Sequence, residues 1–206
     1  MSTRKIAVVS AGLSQPSSTR LLADRLAQAA TAELGERGIT AEVATYELRD
    51  LAHEITNAML TGFPTGDLRE ALEAVTGADG LIAVTPIFTT SYSGLFKSFV
   101  DVIDKDALRD VPVLIGATGG TPRHSLATEH ALRPLFTYLH ADPVTTAVFA
   151  ATDDWAGEGD EVNPLPERIR RAGRELAEKI AARPARSATA DAFDGAPDFA
   201  ELLGRV

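Results

Sequence analysis

Hydroxyl side chains crowd one stretch near the start of the chain. Ser10-Ala11-Gly12-Leu13-Ser14-Gln15-Pro16-Ser17-Ser18-Thr19-Arg20 sets five of them, with a glycine, between an apolar run and a helical pattern. A helix N-terminus presents unpaired N–H groups and the positive end of a dipole, and neighbouring hydroxyls add donors. Together they can hold a phosphate with little net positive charge. The same residues would equally serve as a turn with Ser17 or Ser18 as a plain N-cap. No Gly-Lys-Ser/Thr follows, and there is no G-x-G-x-x-G, so a mononucleotide suits the stretch better than a dinucleotide.

Two further segments could do chemistry. Thr85-Pro86-Ile87-Phe88-Thr89-Thr90-Ser91-Tyr92-Ser93-Gly94-Leu95-Phe96-Lys97 combines hydroxyls, free backbone groups and aromatic surface. A planar heterocycle needs an apolar face to rest on and hydrogen bonds along its edge. Phe88 is open between that role and helix packing, whereas Tyr92 and Phe96 read as packing residues. Thr118-Gly119-Gly120-Thr121 has two adjacent glycines, which either let a ligand approach the backbone or simply turn the chain. The four histidines lack a coordinated carboxylate pattern, so no metal site is read from them. Arg20 and Arg123 lie near enough in sequence to these segments to meet a nucleotide phosphate, with a solvated surface role as the alternative.

The elements that must position these segments alternate. Apolar runs at Lys5–Ser10, Ile39–Tyr46, Gly80–Pro86, Pro112–Ala117 and Pro143–Ala150 predict five strands, the first buried on both faces. Helical periods predict helices over Ser17–Glu36, Asp67–Thr76, Ser93–Asp104, Ser125–His140 and Pro164–Ala182. Pro86 is read as the stop of the third strand and Pro184 as the end of the last helix. His53–Phe63 carries no clear period. Such alternation implies an α/β fold, a doubly wound five-stranded parallel sheet in the order 2-1-3-4-5 with helices on both faces. In that architecture ligands bind outside the carboxyl ends of the strands, where all three segments fall.

Composition narrows the function classes. The 206 residues carry 20 basic and 29 acidic side chains, a formal charge of −9, which argues against a nucleic-acid partner. There is no cysteine, which removes disulfides, thiolate metal sites and thiol nucleophiles. Apolar runs are far too short to cross a bilayer, and the N-terminus lacks the features of a secretory leader, so a cytoplasmic location without membrane attachment is expected. Asp153–Glu161 is an acidic run, read as a solvated loop. Residues 183–206 read as a C-terminal tail appended to a domain at 1–182, with Phe199, Leu202 and Leu203 able to dock locally.

Three motifs carry a likeness to a known family. The loop Ser10–Thr19 resembles a phosphate-binding turn. Thr85-Pro86-Ile87-Phe88 with Ser93-Gly94-Leu95-Phe96-Lys97 resembles T-P-x-Y…S-G-x-x-K, and Thr118-Gly119-Gly120-Thr121 with His124, Leu126-Ala127 and Leu132-Arg133-Pro134 resembles T-G-G-T…H-x-L-A…L-[RK]-P. From about Lys5 to Ala182 the chain resembles the flavodoxin-like NADPH-dependent FMN reductase family, and within it the flavin reductases that supply reduced FMN to a separate monooxygenase.

The resemblance implies FMN and NADPH as the bound molecules. By it Ser10, Gly12, Ser14, Ser17, Ser18 and Thr19 hold the FMN phosphate. Pro86, Ile87, Phe88, Thr89, Thr90 and Ser91 line the isoalloxazine ring, and Thr118, Gly119, Gly120 and Thr121 close over its pyrimidine side. No catalytic side chain is implied, because the hydride chemistry belongs to nicotinamide and flavin.

This chain also departs from the pattern. Ser14 stands where many relatives have Arg, and Phe88 replaces a Tyr. His130 aligns with an inserted aromatic residue that distorts a helix in two-component members, which would favour FMN as a travelling substrate; a solvent-facing His is the alternative. A homodimer or homotetramer is implied, with Phe96, Phe99, Phe136 and Tyr138 as core or contact residues. The remaining alternatives are a reductase with bound FMN acting on quinones, azo compounds or metal oxyanions, and a flavodoxin-type electron carrier or flavin-free binding domain.

Overall fold

The computed structural model describes residues 2–186. In chain order the elements are β1 (Ser2–Ser10), α1 (Ser18–Glu36), β2 (Ile39–Glu47), α2 (Ala52–Thr61), α3 (Gly66–Gly77), β3 (Gly80–Phe88), β4 (Ser91–Tyr92), α4 (Gly94–Asp101) and β5 (Pro112–Gly119). A 3-10 turn (Pro122–His124) and a π turn (Thr128–Leu132) lead to α5 (Arg133–Tyr138), β6 (Asp142–Pro143), β7 (Val148–Ala151), α6 (Thr152–Ala156) and α7 (Leu165–Ala181). The docking expected of Phe199, Leu202 and Leu203 falls outside the described residues.

β1, β3 and β5 are buried over most of their length because both faces are covered, which is why they read as continuous apolar runs. Ile6, Val8, Ile82, Val84 and Leu114 pack under α1 and α7, while Ala7, Val9, Leu81, Ala83, Val113 and Ile115 pack under the helices of the other face. In α1 the residues Leu22, Leu26, Ala30 and Leu34 recur every fourth position and are fully buried, whereas Leu21 is exposed. The segment without a clear period, His53–Phe63, is mostly helix α2, which buries Ile55 and Ala58.

The parallel order is β2-β1-β3-β5, with both β6 and β7 beside β5, and β4 added antiparallel to β3. The five positions are those of the doubly wound 2-1-3-4-5 arrangement, but the sheet has seven strands. The fifth position is split because side chains satisfy its middle. Arg133 donates to the carbonyls of Val144 and Thr145, and Glu175 accepts from both the backbone N–H and the hydroxyl of Thr146. Those backbone groups need no ladder partner there.

Two other boundaries differ from the sequence reading for identifiable reasons. β3 runs past Pro86 to Phe88. The Val84 carbonyl bonds the Ala11 N–H, so by alternation Pro86 faces the same side, where β1 has already left the sheet. Its missing N–H therefore costs no ladder bond. The single helix expected over Ser125–His140 is divided into a π turn and α5. The Arg133 N–H reaches five residues back to the Thr128 carbonyl, and Pro134, which has no N–H to donate, begins the next turn.

Candidate functional site

The hydroxyl-rich loop leaves β1 at Ser10 and enters α1 at Ser18. Ser17 is the N-cap, its Oγ accepting from the Arg20 N–H at 3.2 Å. Gly12 sits against this cap: a Cβ there would fall 2.0 Å from Ser17 Oγ and 3.1 Å from Thr19 Cβ. Only glycine lets the loop fold back this closely. Ser10 follows Ile6 and Val8 in strand alternation, so its side chain lies on the face that α1 covers. It is fully buried, and Ser10 Oγ has no hydrogen-bond partner. Ser14 and Ser18 are exposed.

The other two segments meet this loop along the carboxyl edge of the sheet. Thr118 at the end of β5 lies beside Pro86 of β3, and its Oγ1 is 2.8 Å from Thr19 Oγ1, a buried hydrogen bond between the first and third segments. Thr85 Oγ1 accepts from the Ser93 N–H at 3.1 Å, and Ser93 Oγ caps α4 by accepting from the Phe96 N–H. Between them, Thr89 and Thr90 form a two-residue hairpin turn with φ of 48° and 70°. β-Branched residues rarely take this left-handed conformation, and each instance costs on the order of 1–3 kcal/mol. Phe88, Thr89 and Thr90 are exposed at the rim, Ile87 and Ser91 half-buried and Pro86 buried.

The double glycine divides its work. A Cβ at Gly119 would lie 2.8 Å from the Phe149 ring, so close packing onto β7 accounts for that glycine. Gly120 has open space around it, and neither glycine takes a positive φ. Gly120 and Thr121 are exposed at the end of β5.

Charged groups around this edge sort differently from their sequence positions. Arg20 is tied to Asp24 at 2.8 Å and to Glu47 at 2.9 Å. The hydrogen bond it donates to Asp24, with help from Glu47, raises its pKa against the opposing effect of burial. Arg123 is exposed and has no ion pair among the described residues. Arg49, at the turn after β2, bears on the first loop without any sign of it in the sequence. Its guanidinium faces the Gln15 side-chain amide, whose oxygen accepts from it when the amide is turned to suit its neighbours, and lies within 3.5 Å of both Glu47 and Asp50. The acidic segment also proves close to the site: part of it forms α6, and with Pro122, Ser125, Phe149 and Arg168 it lines a cleft of about 390 Å³ beside the third segment.

The family model for NADPH-dependent FMN reductase matches residues 4–156. The chain belongs to this family. An FMN reductase (NADPH) of Pseudomonas aeruginosa is 36% identical over 173 residues, covering 84% of this chain and 90% of its own. An NADH-dependent FMN reductase, SfnF, of Pseudomonas fluorescens is 37% identical over 173 residues with the same coverage. Among solved structures, an oxidoreductase from Corynebacterium diphtheriae superposes with a TM-score of 0.85 at 46% identity, covering 89% of this chain and 100% of that one. This FMN reductase family member is an NAD(P)H:FMN oxidoreductase with a flavodoxin-like fold.

The residues present fit a phosphorylated flavin. A buried hydroxyl without a partner, a loop folded back onto a helix cap and the N-terminus of a 19-residue helix lie together at the switch point between β1 and β3.

Proposed function

We propose that the enzyme uses FMN as a dissociable substrate, reduces it with NADPH and releases reduced FMN to a separate flavin-dependent monooxygenase. The observation that carries this reading is the π turn at Thr128–Leu132, which holds His130 and interrupts the helix after the third segment. A π turn inserts one extra residue into a helix, and such turns concentrate at functional sites. His130 is exposed, as is Leu126 one turn earlier.

FMN, when bound, accepts the hydride of the nicotinamide. The chain's own residues bind and orient. Ser10, Gly12, Ser14, Ser17, Ser18 and Thr19 receive the phosphate at the start of α1. Pro86 to Ser91 support the ring, Phe88 offering an aromatic face in place of a phenol, and Gly119, Gly120 and Thr121 of the third segment bound its pyrimidine side. Arg49 borders the same loop, its charge shared with Glu47 and Asp50. Arg123, which has no ion pair among the described residues, is the residue we assign to the 2′-phosphate of NADPH; Arg20 is already neutralised by Asp24 and Glu47.

The reductase unit is placed in residues 1–182 of a cytoplasmic protein, with 183–206 as an appended tail. Among the described residues no helix is long and apolar enough to cross a membrane. A homodimer or homotetramer is supported by Leu126 and Tyr138, which are 63% and 73% exposed after β5. Phe96, Phe99 and Phe136 are core residues.

The deciding experiment is spectral. Purified protein should be colourless, and its oxidation of NADPH should depend on added FMN. Yellow protein that oxidises NADPH only with a quinone or dye would instead make FMN a fixed prosthetic group.

A further inference from the structure

We infer that Thr118 is a positioning residue for the phosphate end of the flavin, acting across the sheet through Thr19. The inference rests on FMN being the molecule bound here and deepens that reading.

Strand alternation decides which way Thr118 faces. Leu114 belongs to the core under α1 and α7, and a Cβ on Gly116 would touch Leu26 of α1. Thr118, two residues further along β5, is on that same face. Its hydroxyl meets Thr19 Oγ1 at 2.8 Å, with Thr118 4% and Thr19 3% exposed. Thr19 is the second residue of α1, so the bond fixes the first turn of the helix whose free N–H groups border the loop.

The hydrogens of these hydroxyls show what the arrangement awaits. Each threonine hydroxyl has one, and the Thr19–Thr118 bond uses one of the two. The other has no acceptor among the described residues, and neither has the buried Ser10 hydroxyl. Buried donors without acceptors are costly. Here they lie at a helix N-terminus, where acceptor-rich oxygens bind. A phosphate monoester offers only strong acceptors at neutral pH, whereas the edge of a flavin ring offers donors as well. The pair therefore serves the phosphate end, and Thr118 exerts its effect there by holding Thr19 in place.

The test compares FMN with riboflavin, which has the same ring and no phosphate, using NADPH and the full chain. Wild-type turnover is read first: no activity with FMN would sink the flavin reading itself, apart from any role of Thr118. Given activity, the wild type should prefer FMN to riboflavin in kcat/KM. Thr118→Val should lower that preference about tenfold, the scale of one lost hydrogen bond to a charged group, while Thr118→Ser should keep it. Thr19→Val should lower it as far, and the double variant no further, because one bond is lost in each case. If Thr118→Val weakens both flavins in equal proportion, or if the two single effects multiply in the double variant, the proposal is wrong. Melting curves accompany every variant. Should Thr118→Val fail to fold, Thr118→Ala is read on the same ratio, and an unchanged preference for FMN overturns the proposal.

Discussion

At the scale of single residues, the site depends on small groups in fixed places. Gly12 is the clearest case, since any side chain there must displace Ser17 Oγ. Gly12→Ala is expected to break the cap on α1, lowering stability by about 1 kcal/mol and raising the KM for FMN about tenfold; thermal melts and steady-state kinetics measure the two effects separately. Arg123 makes a contrasting prediction, because its exposed side chain forms no hydrogen bond or ion pair among the described residues. Arg123→Gln should leave the melting temperature within about 1 °C of wild type, the range of a neutral surface change. The same variant should raise the KM for NADPH several-fold more than that for NADH. Equal losses with the two donors would remove Arg123 from the 2′-phosphate. Hydroxyls and glycines at strand ends were legible in the sequence because their types match an anion site. Their partners were not: Thr19 and Thr118 are 99 positions apart, and Arg49 reaches a loop more than thirty positions before it.

At the scale of elements, the segment from the π turn to β7 is held by one cation. Arg133 bonds Glu129 within its own helical segment and the carbonyls of Val144 and Thr145 in the break between β6 and β7. The hydrogen bond to Arg133 lowers the pKa of Glu129, and the same bond raises that of Arg133. Arg133→Ala leaves two carbonyls without this donor and should cost about 2 kcal/mol, read from urea denaturation. Arg133→Lys should recover less than half of that loss, because an ammonium lacks the planar fork that reaches several acceptors at once. Central strands were easy to read because burial on both faces leaves an unbroken apolar run. The split edge strand and divided helix were not, since a side chain twelve positions away substitutes for ladder partners and a proline restarts the helix.

At the scale of the whole molecule, charge clusters close the end of the sheet opposite the site. Asp142 at the start of β6 accepts from Lys179 and Arg183, the latter just past α7. Arg186 N–H donates to Asp79, whose other oxygen takes the Lys5 N–H. Burial pushes the Asp142 carboxyl up, but Lys179 and Arg183 outweigh it and hold its pKa below the usual value. A carboxylate lowered in the folded state adds stability above its unfolded value of about 4, and that contribution disappears as pH falls through the folded value. Asp142→Asn should therefore lower stability at neutral pH by about 1 kcal/mol, allowing for its partial exposure, and make unfolding below pH ~4 less steep. Parallel melts at neutral and acid pH test this, and an unchanged acid limb would contradict it. By itself the sequence determined the α/β alternation, the order of the five sheet positions and the three segments at the strand ends, because burial period and turn chemistry are local properties. Only the tertiary structure decided which hydroxyls pair, which carboxylates the arginines meet and that the acidic segment borders the site. Those outcomes depend on strand register and on which helix covers which face, and both are set by contacts between residues far apart in the chain.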